Sequence, residues 1–214
     1  MIPKPKAILF DLDGVLVNMP DGHYEALNKA LALFGARISE DEHFNFFNGL
    51  PSKKKIEELE RQGRLPSGLR DFINTTKQIY TKEIIPKYCT PDYSKIILMR
   101  HLKDRGYMLA CCSNSMKETL HLMLKSAHLF DHFDLIMGND EVENPKPHPE
   151  IYLTAFKRLG VEASDCIIVE DSPHGIESAR ASGATVYTVR NVSDVNLSLF
   201  EELHPDLKSI TIAL

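Results

Sequence analysis

The chain has 214 residues, 43% of them hydrophobic, with a formal net charge of −5. That length can bury the core of one large domain, or of one domain with a smaller companion. The acidic balance and the lack of a long basic run argue against a nucleic-acid partner, and no apolar stretch reaches the length of a membrane span.

Residues 1–6 lead at once into an apolar run at 6–10, without a signal-type segment. This run and four more, at 107–112, 134–137, 166–169 and 185–189, read as buried parallel strands. Between the first and second lies a long stretch, from about 23 to 84, with helical periodicity and little strand signal. Tyr24, Leu27, Leu31 and Phe34 form one apolar stripe, and Ile56 and Leu59 a second. Leu69, Phe72, Ile73, Thr76, Ile79, Tyr80 and Ile84 form a third. Turn-rich residues at 20–22 and 86–91 bracket the stretch as hinges. Helical patterns then alternate with the strands, at 95–105, 117–126, 151–159 and 175–182. This order predicts an α/β, doubly wound, mainly parallel Rossmann-like sheet with an inserted small all-helical domain. Residues 1–17 and 85–214 would form the core, and 18–84 the insert. The four cysteines show no CxxC spacing and mostly sit in apolar runs, which predicts a reducing, cytoplasmic setting.

Polar residues collect where the strands end, and ligands of open α/β sheets bind there. The first strand runs into Asp11-Leu12-Asp13-Gly14, which reads as a nucleophile with a proton-transfer partner or as an acidic turn. The second runs into Ser113-Asn114-Ser115, a phosphate clamp or a helix cap. After the third, three prolines stiffen a loop around Lys146, an ammonium that could neutralise phosphate or stay in solvent. The fourth ends in Glu170-Asp171, oxygen ligands suited to Mg²⁺ or the acidic start of a helix. Together the four ends supply a nucleophile, an acid/base, a phosphate clamp and a metal site at one edge.

In these motifs, taken in order over nearly the whole chain, the sequence resembles the haloacid dehalogenase superfamily, in its phosphatase and phosphomutase branch. The run Gly14-Val15-Leu16-Val17, His23 and the run 169–176 are most similar to the β-phosphoglucomutase-like subgroup. The resemblance implies that Asp11 is the nucleophile and forms an aspartyl phosphate, with Asp13 as acid and base. It implies Mg²⁺ held by Asp11, the backbone carbonyl of Asp13 and Asp171, with Glu170 as a further ligand or neighbour. Ser113, Asn114 and Lys146 would bind the phosphoryl group. The insert would be the cap, with His23 at its hinge and residues 48–53 as the substrate loop, from which Ser52 and Lys53 would meet substrate. At least two of Lys53, Lys54 and Lys55 are expected on a solvated face.

The expected activity is Mg²⁺-dependent hydrolysis of a small phosphorylated metabolite, a sugar or polyol phosphate. The main rival is a sugar phosphomutase, but the loop after Gly49 lacks the arginine that such mutases of the subgroup carry. A phosphoacceptor signalling domain would need no cap, and a binding-only pseudoenzyme would have lost a catalytic position. A monomer is expected, with a dimer left open.

Overall fold

The computed structural model describes residues 5–47 and 50–203. Asn48 and Gly49 of the expected substrate loop lie outside the described residues. At its centre is strand β1 (Ala7–Phe10), whose four side chains are all buried. A helical segment follows: α1 (Pro20–Ala32), a π-helical turn at Glu42–Phe46, α2 (Ser52–Arg61) and α3 (Arg70–Tyr88). The chain continues through α4 (Tyr93–Asp104), β2 (Met108–Cys112), α5 (Lys117–Ser126) and β3 (Leu135–Met137). It ends with α6 (Glu150–Leu159), β4 (Cys166–Glu170), α7 (Pro173–Ala181), β5 (Thr185–Thr188) and α8 (Leu197–Leu203). All five expected strands are present, each within one or two residues of its expected bounds.

The sheet is wholly parallel in the order β3-β2-β1-β4-β5. From β1 the chain winds outward through β2 and β3, then returns to β4 and β5 on the other side. The reversal falls at β1, so ligands are expected beyond its carboxyl end. Residue alternation sorts the core onto two faces. Ile8, Phe10, Leu109, Cys111, Ile167 and Val169 pack with Leu98, Met99 and Leu102 of α4 and Leu120, Met123 and Leu124 of α5. Leu9, Ala110, Cys112 and Ile168 pack with Ile151, Tyr152 and Ala155 of α6 and Ala179 of α7. Register pairs Phe10 with both Cys111 and Val169, so Asp11, Ser113 and Asp171 emerge at one edge. All four cysteines are buried and free.

The helical segment has a core of its own, made by Leu27, Ala30 and Leu31 of α1, Ile56 and Leu59 of α2, Ile73 of α3, and Ile38, Phe47 and Leu65 from the connections between them. Two expectations need correction here. The stretches read as turn-like hinges are largely helix: Pro20 opens α1, where its missing N–H is harmless, and Pro86 lies in the last turn of α3. The stripe on α3 is also rotated from the one expected. Phe72 and Ile79 are exposed, whereas Asn74, Lys77 and Thr81 are buried beside Ile73 and Ile84. This polar face has its own destination, described next. No helix among the described residues is long and apolar enough to cross a membrane.

Candidate active site

A cavity of about 420 Å³ opens between the sheet edge and the helical segment. Asp11, Asp13, Ser113, Asn114 and Lys146 line one end, and His23, His43, Lys55, Asn74 and Lys77 the other. Leu12 is fully buried, while Asp11 and Asp13 on either side of it both line the cavity. The chain then curls, with Leu16 and Val17 N–H donating to the Leu12 carbonyl and Gly14 N–H to Val17. Gly14 sits at φ +88°, and a Cβ there would lie 2.1 Å from Asp171 Oδ2. Glycine is therefore required twice at this position, for the backbone and for the space.

Lys146 ties the core end together. Its buried ammonium donates to Asp11 Oδ1 at 2.7 Å, to the Cys112 carbonyl at 2.8 Å and to Glu170 Oε1 at 2.5 Å. Asn114 fixes the lysine's backbone, accepting from Lys146 N–H at 3.0 Å and donating to its carbonyl at 3.1 Å. The Asn114 carboxamide thus grips the Lys146 loop. Ser113 is buried, and its oxygen accepts from Ser115 N–H at 3.1 Å, which leaves the hydroxyl proton to point elsewhere. Glu170 accepts a further bond from Tyr152 at 2.6 Å, and the Lys146 ammonium lies 4.8 Å from the centre of that ring. Gly175 makes room for Glu170, since a Cβ there would fall 2.1 Å from its carboxylate. Tyr152 is not singled out by the sequence, where it reads as an ordinary helix residue, whereas Gly175 falls in the run 169–176.

Asp13 faces the other way. Ser115 donates to its Oδ2 at 3.3 Å, and His23 Nε2 lies 3.2 Å from Oδ1. Lys77 Nζ lies 3.3 Å from His23 Nδ1, so that nitrogen accepts and the ring proton is on Nε2, toward Asp13. Burial would raise the Asp13 pKa, but His23, Lys77 and Ser115 outweigh it and hold it low. Burial and Lys77 lower that of His23.

The oxygens of Asp11, Glu170 and Asp171 lie within 4.8 Å of one another. Lys146 is the one cation in contact with this trio among the described residues. Burial, Glu170 and Asp13 push Asp171 up to about 7, and its Oδ1 is buried without a hydrogen-bond partner. Burial likewise drives Asp11 upward against the pull of Lys146. An all-oxygen donor set with excess negative charge and an orphaned carboxylate oxygen fits a hard divalent cation. The carboxylate of Asp13 is outside this trio, engaged by His23 and Ser115.

At the far end, Ser52 lines the cavity half-buried, while Lys53 is largely exposed and paired with Asp71 at 3.0 Å. Lys54 pairs with Glu57 and is also exposed. Lys55 is the lysine of the three that is buried against the cavity. Lys55, Asn74, Lys77 and His43 were not singled out from sequence.

The model of the haloacid dehalogenase-like hydrolases matches residues 8–189. The chain belongs to this family, in its phosphatase and phosphomutase branch. It is 30% identical over 203 residues to the "Probable pseudouridine-5'-phosphatase" of Saccharomyces cerevisiae, covering 86% of this chain and 82% of that protein. It is 26% identical over 181 residues to the "Phosphorylated carbohydrates phosphatase" of Thermotoga maritima, covering 83% and 82% respectively. The crystal structure of β-phosphoglucomutase from Clostridium difficile shares the fold, with a TM-score of 0.80 and 22% identity over 94% of this chain and 98% of that one.

Proposed function

We propose that the protein hydrolyses a small phosphorylated metabolite, of the sugar or polyol phosphate kind, through a phosphoryl group carried on Asp11. The observation that carries this reading is the division of labour between two carboxylates two residues apart. Asp11 is held by an ammonium at the cavity floor, while Asp13 is held by an imidazole and a hydroxyl.

In the first step a carboxylate oxygen of Asp11 attacks phosphorus in line, and the bond to the leaving oxygen breaks. The protonated form of Asp13 gives that oxygen its proton, which leaves the carboxylate that its low pKa favours. In the second step Asp13 takes a proton from water as the water oxygen attacks phosphorus, which releases orthophosphate and restores Asp11. Lys146 orients the nucleophile and offsets charge that gathers on the phosphoryl oxygens, and the Ser113 hydroxyl donates to one of them. Asp11, Glu170 and Asp171 would hold Mg²⁺, with the Asp13 carbonyl as a further donor. When bound, the ion supplies charge neutralisation for the transferring group. The helical segment, residues 18–84, serves as the cap that shields the site from bulk water.

The relatives named above act by their names on phosphate esters, and two of them on sugar or nucleoside-type phosphates, which supports this substrate class. Water is the proposed acceptor because a mutase must grip a second phosphate while the intermediate survives, a task suited to a bidentate guanidinium. No arginine lines the cavity among the described residues. Phosphate release from a panel of phosphorylated metabolites, with and without EDTA, tests the proposal. Release that depends on Mg²⁺ is expected. Full activity in excess EDTA, or conversion of β-glucose 1-phosphate to glucose 6-phosphate faster than phosphate release by phosphorus NMR, would overturn it.

A further inference from the structure

Helix α6 buries Ile151, Tyr152, Ala155 and Phe156 against the sheet, as the spacing of one helix face requires. Three of these are purely apolar. Tyr152 is not, and among the described residues it is the largest side chain with no exposure. Its ring packs with Leu9, Ala110, Cys112 and Ile168. A phenylalanine would fill that space without burying a hydroxyl, which is costly unless the hydroxyl is bonded. The partner of this one is Glu170, itself fully buried, whose Oε1 accepts from the phenol at 2.6 Å.

The same oxygen accepts from the Lys146 ammonium at 2.5 Å. The two donors reach it from different elements, the phenol from α6 and the ammonium from the loop before that helix. One donor would leave the carboxylate free to roll about its last torsion, which has no sharp preference of its own. Two donors fix its plane. They also fill the lone-pair directions of Oε1, so Oε2 is the oxygen with room for a cation; it accepts only a longer bond, from the Asp171 N–H at 3.2 Å. Tyr152 meets the lysine as well, since the ammonium lies 4.8 Å from the centre of its ring. Lys146 in turn donates to Asp11 at 2.7 Å. A single side chain beneath the sheet edge thus touches both groups that hold the buried part of the site in place.

We propose that Tyr152 is a positioning residue for the cation site: its hydroxyl, together with Lys146, sets the Glu170 carboxylate so that Oε2 is offered beside Asp11 and Asp171 to a hard divalent cation. This rests on the Mg²⁺-dependent phosphatase reading above and adds to it a residue outside the cavity. Groups that orient a metal ligand from behind are worth about tenfold to a hundredfold in affinity.

Tyr152→Phe tests this, because it removes the hydroxyl and keeps the ring, its packing and its contact with the ammonium. The dissociation constant of Mg²⁺ is measured on the resting protein by titration calorimetry, and the Mg²⁺ requirement by phosphate release from p-nitrophenyl phosphate. Both should rise by about tenfold or more in Tyr152→Phe. The KM for the ester at saturating Mg²⁺ should change by less than about threefold, since the hydroxyl does not face the substrate. Ile151→Val loosens the same helix face without touching Glu170, and it should keep the wild-type affinity for Mg²⁺. An unchanged Mg²⁺ dissociation constant in Tyr152→Phe overturns the proposal, whether or not the melting midpoint falls. So does an equal loss of affinity in Ile151→Val, which would reduce Tyr152 to a packing residue. A wild type that binds no Mg²⁺ overturns the cation site and this inference with it. A wild type that binds Mg²⁺ but releases phosphate from no ester overturns the phosphatase reading, and calorimetry alone then decides the role of Tyr152.

Discussion

At the scale of single residues, the site depends on what is absent as much as on what is present. Gly14 and Gly175 leave room for the carboxylates of Asp171 and Glu170. Gly14→Ala adds a methyl 2.1 Å from Asp171 Oδ2 and a strained positive φ of +88°. It should lower kcat by roughly a hundredfold, since displacing a site group by about 1 Å has that effect. Gly175→Ala should act through Glu170 and Lys146 and also lower the thermal midpoint. Steady-state rates and melting curves of the two variants check both outcomes, and near-wild-type rates would mean that the carboxylates can move aside without consequence. Lys55 makes a prediction about stability. Burial and Lys77 lower its pKa to about 7, from 10.5 in an unperturbed lysine. Between these values the unfolded chain binds the extra proton, so stability rises with pH from about 7 to 10.5, and below 7 the full penalty applies. Lys55→Met should therefore be more stable than the wild type near pH 6, on the order of a few kcal/mol. The gain should shrink as the pH approaches 10.5. Denaturant titrations at several pH values measure it, and a difference independent of pH would contradict a charged buried lysine.

At the scale of elements, legibility followed the distance over which a signal acts. Asp11, Ser113, Lys146 and Asp171 were readable because each ends or follows an apolar strand, and a strand end is a local feature. The polar wall was not readable. Hydrophobic periodicity takes a buried face to be apolar, so it placed Phe72 and Ile79 inward and passed over Asn74 and Lys77. The usable signal was the polar row Asn74, Lys77 and Thr81, at spacings of three and four on the same side as Ile73 and Ile84. The helical conformation at 20–22 and 86–88 is hidden in the sequence for a related reason. Proline and glycine suggest turns, but at 20–22 they begin a helix that packs tightly on another. A Cβ on Gly22 would lie 2.8 Å from the Met19 sulfur and 2.9 Å from the Tyr88 ring, so the two connections to the helical segment run side by side. Further along, α3 touches α5 where Lys82 donates to Glu118 at 2.6 Å and Gln78 accepts from the Thr119 hydroxyl at 3.2 Å. Substrate entry past a cap requires such contacts to part. A disulfide between cysteines placed at Gln78 and Thr119 should stop turnover when oxidised and release it on reduction. Undiminished turnover in the oxidised form, with the disulfide verified by mass, would show that the segments need not separate.

At the scale of the whole molecule, the fold assembles chemistry from residues far apart in the chain. Asp11 and Lys146 are 135 positions apart yet share a hydrogen bond. The fold class followed from the alternation of strand and helix patterns. The strand order β3-β2-β1-β4-β5 came from the structure, because pairing between distant strands leaves little local trace. That order puts β1 between β2 and β4, so the nucleophile candidate has the phosphate clamp on one side and the cation site on the other. The central claim is that the phosphoryl group passes through Asp11. The most direct measurement removes the group proposed to activate water and looks for the stalled intermediate. Asp13→Ala should be given p-nitrophenyl phosphate with Mg²⁺, because this leaving group departs without an acid. It should then be quenched and analysed by intact mass and peptide mapping. The account predicts the mass of one added phosphoryl group, located on Asp11 and absent from an Asp11→Asn, Asp13→Ala double variant. An unmodified Asp11, or a phosphoryl group on any other residue, in a preparation whose wild-type counterpart turns over the same ester would contradict it.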